Sequence, residues 1–249
     1  MKRTSVMAAI LTGQERQFWI HPELVGACLH MLRWQNETGS VLTFQFVYGT
    51  TPVDAARNKA VETFLASDAE WLLQIDNDVV PSLILNVFQD IGDRKIVAFP
   101  YPLAWFGGDI VFALATVRGG HTYELHRGMK QGWSEVDVAG TGCFMVHRDV
   151  FLALDQPWFT CTPQCFHKGL YSGEDFNFCE KAKAKGFQTW THSGFPCKHF
   201  RTVDLMQMMQ LLPDAITKYW TALSEHIGQR APTSLDLGVD FFNKGEPSK

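Results

Sequence analysis

The sequence predicts an α/β fold: a mostly parallel central sheet with helices on both faces. Three observations point there. Short apolar, β-branched runs alternate with stretches of helical hydrophobic period through the first hundred residues, the pattern of strand–helix–strand units. No repeat, charge run or Pro/Gly/Ser linker divides the chain. Its 249 residues, 46% of them hydrophobic, suffice for one sizeable core.

Taken in order, "SVMAAIL" (5–11) and "VLTFQFV" (41–47) read as strands, with a helix between them in "HPELVGACLHMLRWQ" (21–35). The segment "TPVDAARNKAVETFLAS" (51–67) reads as a second helix with Thr51 as N-cap and Pro52 at the first helical position. The strand "WLLQID" follows, then a helix opening on Pro81 in "PSLILNVFQDI", then the strand "KIVAFPYP". Beyond residue 100 the runs shorten: "GDIVFALATV", "HTYELHR" and "SEVDVAGTGCFMVHR" read as strands joined by turns. A helix at "SGEDFNFCEKAKAKG", a strand at "FQTWTH" and a helix over 203–227, interrupted by Pro213, complete the pattern.

The net charge of −4 and pI near 6.1 exclude a global basic field able to hold a polyanion. The basic stretches "HTYELHRGMKQGW" and "KAKAKG" read as solvated surface. The opening "MKRTSVMAAILTG" has a leader-like start, but Thr12-Gly13 and the charged residues after it cut the apolar run, so a first strand and a cytoplasmic protein are expected. No run approaches the roughly 20 apolar residues that cross a bilayer. The six cysteines (28, 143, 161, 165, 179, 197) read as reduced thiols. A zinc site from Cys161, Cys165, Cys179 and Cys197 with a nearby histidine is the sharper alternative.

The chemistry concentrates at Asp76-Asn77-Asp78, where a strand of a parallel sheet delivers its ligand-binding end. Two carboxylates crowded in a crevice raise each other's pKa, and a magnesium or manganese ion completed by substrate phosphates would relieve them. An EF-hand loop is excluded, since Val80 stands at the third ligand position. The plain alternative is a turn whose Asp caps the Pro81 helix. Three further features converge: Arg57 and Asn58 interrupt an apolar helix near its N-terminal turn. Gly140-Thr141-Gly142 permits close backbone approach of a sugar or phosphate, and Glu174 and Asp175 open a helix as a cap or as a base.

This ordered set resembles the nucleotide-sugar glycosyltransferases of the A-type fold, closest to the family 2 group, over roughly residues 5–200. The resemblance implies a Rossmann-like sheet and a single catalytic domain over 1–229, with a polar tail over 230–249. It implies Asp76 and Asp78 as the Asp-x-Asp motif, with Asp78 the direct metal ligand and Asp76 facing the ribose or a metal-bound water. His199 would complete the metal site, with His192 as rival. Asp175, beside Glu174, corresponds to the general base of inverting members; in a retaining one it would position the acceptor. Thr12 lies where the nucleotide base is held, Arg57 would approach the diphosphate or the carboxylates, and Gly140 and Gly142 line the donor.

The implied cofactor is Mn2+ or Mg2+, and the donor a nucleotide-diphosphate sugar, a UDP-sugar foremost. One departure is the opening loop "TGQERQFWIHPEL", which replaces the family's small proline-containing loop and leaves the nucleotide unnamed. "FPYPLAWFGG" reads either as an aromatic loop that stacks on a sugar or base, or as a core segment followed by a turn. The acceptor is open between a saccharide, a glycan precursor and a hydroxylated nucleobase in viral DNA. A nucleotidyltransferase and a non-catalytic nucleotide-sugar binding module are the alternatives. The first lacks a basic glycine-rich loop after the first strand, and the second would need no acid at Asp175. A zinc deaminase lacks its second cysteine.

Overall fold

A computed structural model of the chain describes residues 3–12, 20–104, 110–118, 122–161 and 173–201. The chain divides into two units, 1–200 and 201–249. The expected helix over 203–227 and the tail lie outside the described residues, as do Cys165, Trp105 and Phe106.

Seven strands form the central sheet: β1 (Ser5–Leu11), β2 (Val41–Val47), β3 (Trp71–Asp76), β5 (Ile96–Ala98), β10 (Trp133–Val136), β12 (Cys143–His147) and β13 (Thr189–His192). Their order is β10-β13-β5-β12-β3-β1-β2. Parallel pairing joins β1 to β2, β1 to β3 and β5 to β13, while β12 and β10 run against their neighbours. The sheet is therefore mostly parallel, with β12 inserted antiparallel beside β3.

Alternation along β1 shows how the sheet divides two cores. Val6, Ala8 and Ile10 face α1 (Pro22–Thr38), while Met7, Ala9 and Leu11 face α2 (Val53–Leu65). Helix α1 buries Leu24, Ala27, Met31 and Trp34, a stripe at helical spacing. Its N-cap His21 accepts from the Glu23 amide, and Gly39 ends it at φ 66°, a left-handed position that only glycine adopts at no cost. The face of α2 is joined by α3 (Arg148–Ala153) and α4 (Glu174–Ala184), around Phe64, Phe151 and Phe178. Helices thus cover both faces.

Three expectations for the elements are corrected. Helix α2 begins at Val53 with Pro52, not Thr51, as its cap residue, and makes no side-chain cap bond. The segment after Pro81 forms a 3-10 helix over Ile84–Gln89 and not a helix opening on the proline. Here Val79–Val80 are drawn into a short strand, β4, against β14 (Lys198–His199), and Leu83 turns left-handed at φ 49° before the helix begins. Finally, "SEVDVAGTGCFMVHR" is divided among β10, β11 (Val138–Ala139) and β12. β11 leaves the central sheet to join β8 (Leu114–Arg118) and β9 (Thr122–Leu125) in a three-stranded sheet. A hairpin of β6 (Pro102–Ala104) and β7 (Ile110–Phe112) completes the described elements.

Candidate active site

At the carboxyl end of β3 the Asp76-Asn77-Asp78 turn is held by backbone bonds from four separate stretches of the chain. The Asp76 amide donates to Gly142 O (2.8 Å) and the Asn77 amide to Leu11 O (3.1 Å), while Asn77 O accepts from His21 N (2.9 Å) and Asp78 O from Phe200 N (2.9 Å). The His21 and Phe200 rings stack at 3.5 Å beside it. Asp78 does not cap the next helix, because the cap residue there is Leu83 and no side chain bonds to it. The reading of the turn as a helix cap falls with that.

Asp76 faces α2. There Arg57, 3% exposed, is a buried hub. Its Nη2 donates to both Asp76 oxygens (3.1 and 3.2 Å), Nε to Glu174 Oε1 (3.0 Å), and Nη1 to Thr141 O (3.1 Å) and Gln74 Oε1 (3.3 Å). A guanidinium is the side chain whose fixed fork can serve this many acceptors at once. Arg57 therefore meets the carboxylates, and its donors are occupied by protein. Burial outweighs Arg57 at Asp76 and, with Asp78 and Glu174 adding to it, raises that carboxyl above its ordinary range. Asn58 points elsewhere, clamping the Phe159 backbone through both of its amide atoms (2.8 and 3.0 Å).

Asp78 faces His199. The two-residue pairing of β14 with β4 sets His199 opposite Val79 and brings its Nε2 within 3.6 Å of Asp78 Oδ2. The His199 Nδ1 lies 2.8 Å from Pro102 O. A carbonyl oxygen can only accept, so Nδ1 carries a proton and, in the neutral ring, the Nε2 lone pair is turned toward Asp78. At 3.6 Å the two atoms are beyond hydrogen-bond range but suitably spaced to share a cation. The rival His192 packs instead on Trp133 and Phe195, its Nδ1 accepting from Gly194 N.

No group of three His, Cys, Asp or Glu side chains is arranged to hold a metal among the described residues. The Asp78–His199 pair therefore fits a magnesium- or manganese-type ion only if substrate oxygens and water complete its shell, as such ions accept. The zinc alternative is overturned for the described cysteines. Cys179 is a core-facing residue of α4 on the α2 side of the sheet, Cys197 lies in the core on the α1 side, and Cys161 is exposed.

Asp175 sits in the first turn of α4, its Oδ1 accepting from Phe176 N (2.8 Å). Burial, with the neighbouring Glu174 charge, pushes its carboxyl up to about 7. Glu174 itself is taken up by Arg57.

Gly140 and Gly142 flank the site for a reason that involves no ligand. A Cβ at Gly140 would lie 2.3 Å from the Tyr101 hydroxyl oxygen, and one at Gly142 would lie 2.9 Å from the Tyr101 ring. Tyr101 OH accepts from Gly142 N (3.2 Å), and its ring meets His199 edge-on at 5.1 Å. Of the two readings of "FPYPLAWFGG", Tyr101 follows the core one, being buried, with its phenol held protonated by burial and the Asp76 and Asp175 charges. Thr12 is buried too, and its hydroxyl donates to Val47 O (3.2 Å).

Gln74 and the Pro102 carbonyl are members of the site that the sequence does not single out, and Tyr101 enters it as a buried partner of Gly142 rather than as a stacking ring. Gln74 carried the one available signal, a lone amide in a strand otherwise reading as apolar.

No protein-family model matches the chain, and no curated protein matches it. Among solved structures it is similar to A197 from STIV, with a TM-score of 0.57 and 17% identity over 80% of this chain and 87% of that one. It is also similar to GalNAc-T7 with UDP, GalNAc and Mn2+, with a TM-score of 0.50 and 12% identity over 81% of this chain and 45% of that one. These likenesses show the fold, which is the A-type glycosyltransferase fold.

Proposed function

We propose that the chain is a metal-dependent glycosyltransferase that moves a sugar from a nucleotide-diphosphate sugar, a UDP-sugar foremost, to an acceptor hydroxyl. The observation that carries this reading is the Asp78–His199 pair at the carboxyl end of β3, with the His199 Nδ1 proton committed to Pro102 O. One solved structure of the same fold holds UDP, GalNAc and Mn2+. No helix among the described residues is long and apolar enough to cross a membrane.

In this mechanism Asp78 and His199 would hold the divalent ion. When bound, that ion supplies positive charge to the diphosphate as it leaves. Arg57 positions and neutralises, fixing Asp76 toward the donor and Glu174 away from it, and makes no contact with the leaving group. Asp175 takes the acceptor hydroxyl's proton. Its carboxyl, pushed up to about 7 in the first turn of α4, suits that task near neutral pH.

The test is release of UDP or GDP from a panel of nucleotide-sugars with manganese, in wild type and Asp175→Asn. Turnover by the wild type, with donor binding but no turnover in the variant, supports the transferase. Donor binding with no turnover in either protein would move the assignment to a binding module.

A further inference from the structure

A second cleft, of about 800 Å3, lies away from the Asp78 turn, between β10 at one edge of the central sheet and the face of the β8–β9 hairpin. β13, β5 and β12 separate that edge from β3. The size falls within the roughly 300–1,000 Å3 of small-molecule sites.

Its walls have a definite chemistry. Trp133 and Trp190 line it, with the Arg94 guanidinium over both rings (4.4 and 4.6 Å) and the Trp133 indole N–H donating to Asp90 (3.1 Å). The indoles are thus fixed before any ligand arrives, which lowers the ordering cost of binding. Opposite them, Thr116 and His126 hydrogen-bond to each other (2.8 Å) and Arg118 pairs with Glu124 (2.8 Å). Thr191, 1% exposed, and its cross-strand partner Ser134 belong to the same lining, and their hydroxyl oxygens are buried with no hydrogen-bond partner. A lining that mixes indole rings with charged and hydrogen-bonding groups suits a ligand that brings its own donors and acceptors.

The mixture selects the ligand. Glu124 and Glu135 stand among the cations, so the cleft presents no uniform positive field to a polyanion. Its charged and hydroxyl groups disfavour a purely apolar molecule. Rigid aromatic rings beside dense, mixed hydrogen-bonding groups suit a molecule with apolar C–H faces and a rim of hydroxyls. We infer that this cleft is a second, saccharide-binding site that anchors an oligosaccharide acceptor apart from the donor site. The anchoring role rests on the transferase reading; the binding itself does not.

The experiment is calorimetric titration, without nucleotide or metal, of cellohexaose, maltohexaose, mannohexaose, xylohexaose and chitohexaose into wild type, Asp78→Asn, Trp190→Ala and Glu135→Ala, with the oligonucleotide dT15 as competitor. At least one hexasaccharide is expected to bind wild type and Asp78→Asn alike, about tenfold more weakly to Trp190→Ala and several-fold more weakly to Glu135→Ala. Glu135 is exposed, so its variant keeps the test intact if Trp190→Ala fails to fold. No binding at millimolar sugar, affinity unchanged in both cleft variants, or displacement of the sugar by dT15 would each overturn the inference. UDP–manganese binding by the same proteins reports on the transferase reading separately.

Discussion

Asp76 and Asp78 leave the same strand two residues apart and enter opposite environments. Asp76 turns toward α2, where a buried guanidinium grips both of its oxygens and shares itself with Glu174, Gln74 and Thr141. Asp78 lies past the turn, where an imidazole nitrogen stands at 3.6 Å in place of a guanidinium. The first carboxylate is gripped by the protein's own guanidinium and sets the architecture; the second faces an imidazole nitrogen with which it can share a cation. A paired-carboxylate motif is therefore not two equivalent ligands, and substitutions should separate the two roles.

The largest effect on that contrast is expected at Arg57. Arg57→Ala leaves Asp76 and Glu174 buried without their counter-charge, so urea unfolding at pH 7 should show a loss of about 3–5 kcal/mol. Without Arg57 the Asp76 carboxyl, already raised by burial, loses the charge that holds it down and rises further, so the loss should shrink as the pH falls and Asp76 protonates. A loss that does not change with pH would mean the hub acts by packing and not by charge.

Next is Asp175→Asn, expected to lower kcat by about a hundredfold or more with donor affinity retained. In the wild type the base works only when ionised, so kcat/KM should rise with pH through about 7. The stability sign is the reverse. A carboxyl whose folded pKa is raised contributes stability fully present below its unfolded pKa and lost as pH rises through about 7. Asp175→Asn should therefore raise Tm more at pH 8 than at pH 4. A Tm difference equal at both would show that burial does not shift Asp175.

Gly140→Ala should cost about 1–3 kcal/mol, since its Cβ would meet the Tyr101 hydroxyl at 2.3 Å in a packed site. The smallest stability change belongs to Asp78→Asn, within about 1 kcal/mol of wild type, because it removes a charge that crowds Asp76. Loss at Asp78 as large as that at Arg57 would erase the distinction between the two carboxylates.

Much of this was legible in the residues. Strand–helix alternation was enough for a mostly parallel sheet covered on both faces, and Arg57 stood out as a charge inside an apolar helix. The 3-10 helix was not legible, because "PSLILNVFQDI" carries apolar residues at a spacing that suits an α-helix equally well. The chain enters the 3-10 helix through Leu83 in a left-handed conformation with no side-chain cap, a local backbone feature that hydrophobic spacing does not record. The two-residue ladder of Val79–Val80 with Lys198–His199 brings His199, and not His192, to Asp78, and a pairing that short leaves no periodic trace. Gly140 and Gly142 announced a close approach, but not that the approaching group would be Tyr101.

The measurement that bears most directly on the division of roles is manganese binding, followed by electron paramagnetic resonance in the presence of UDP, for wild type, Asp78→Asn and His199→Gln. Tight binding by the wild type, weakened about tenfold or more in both variants while their Tm values stay near that of the wild type, is the predicted result. Manganese affinity unchanged by either substitution would contradict the assignment of Asp78 and His199 as the pair that holds the metal.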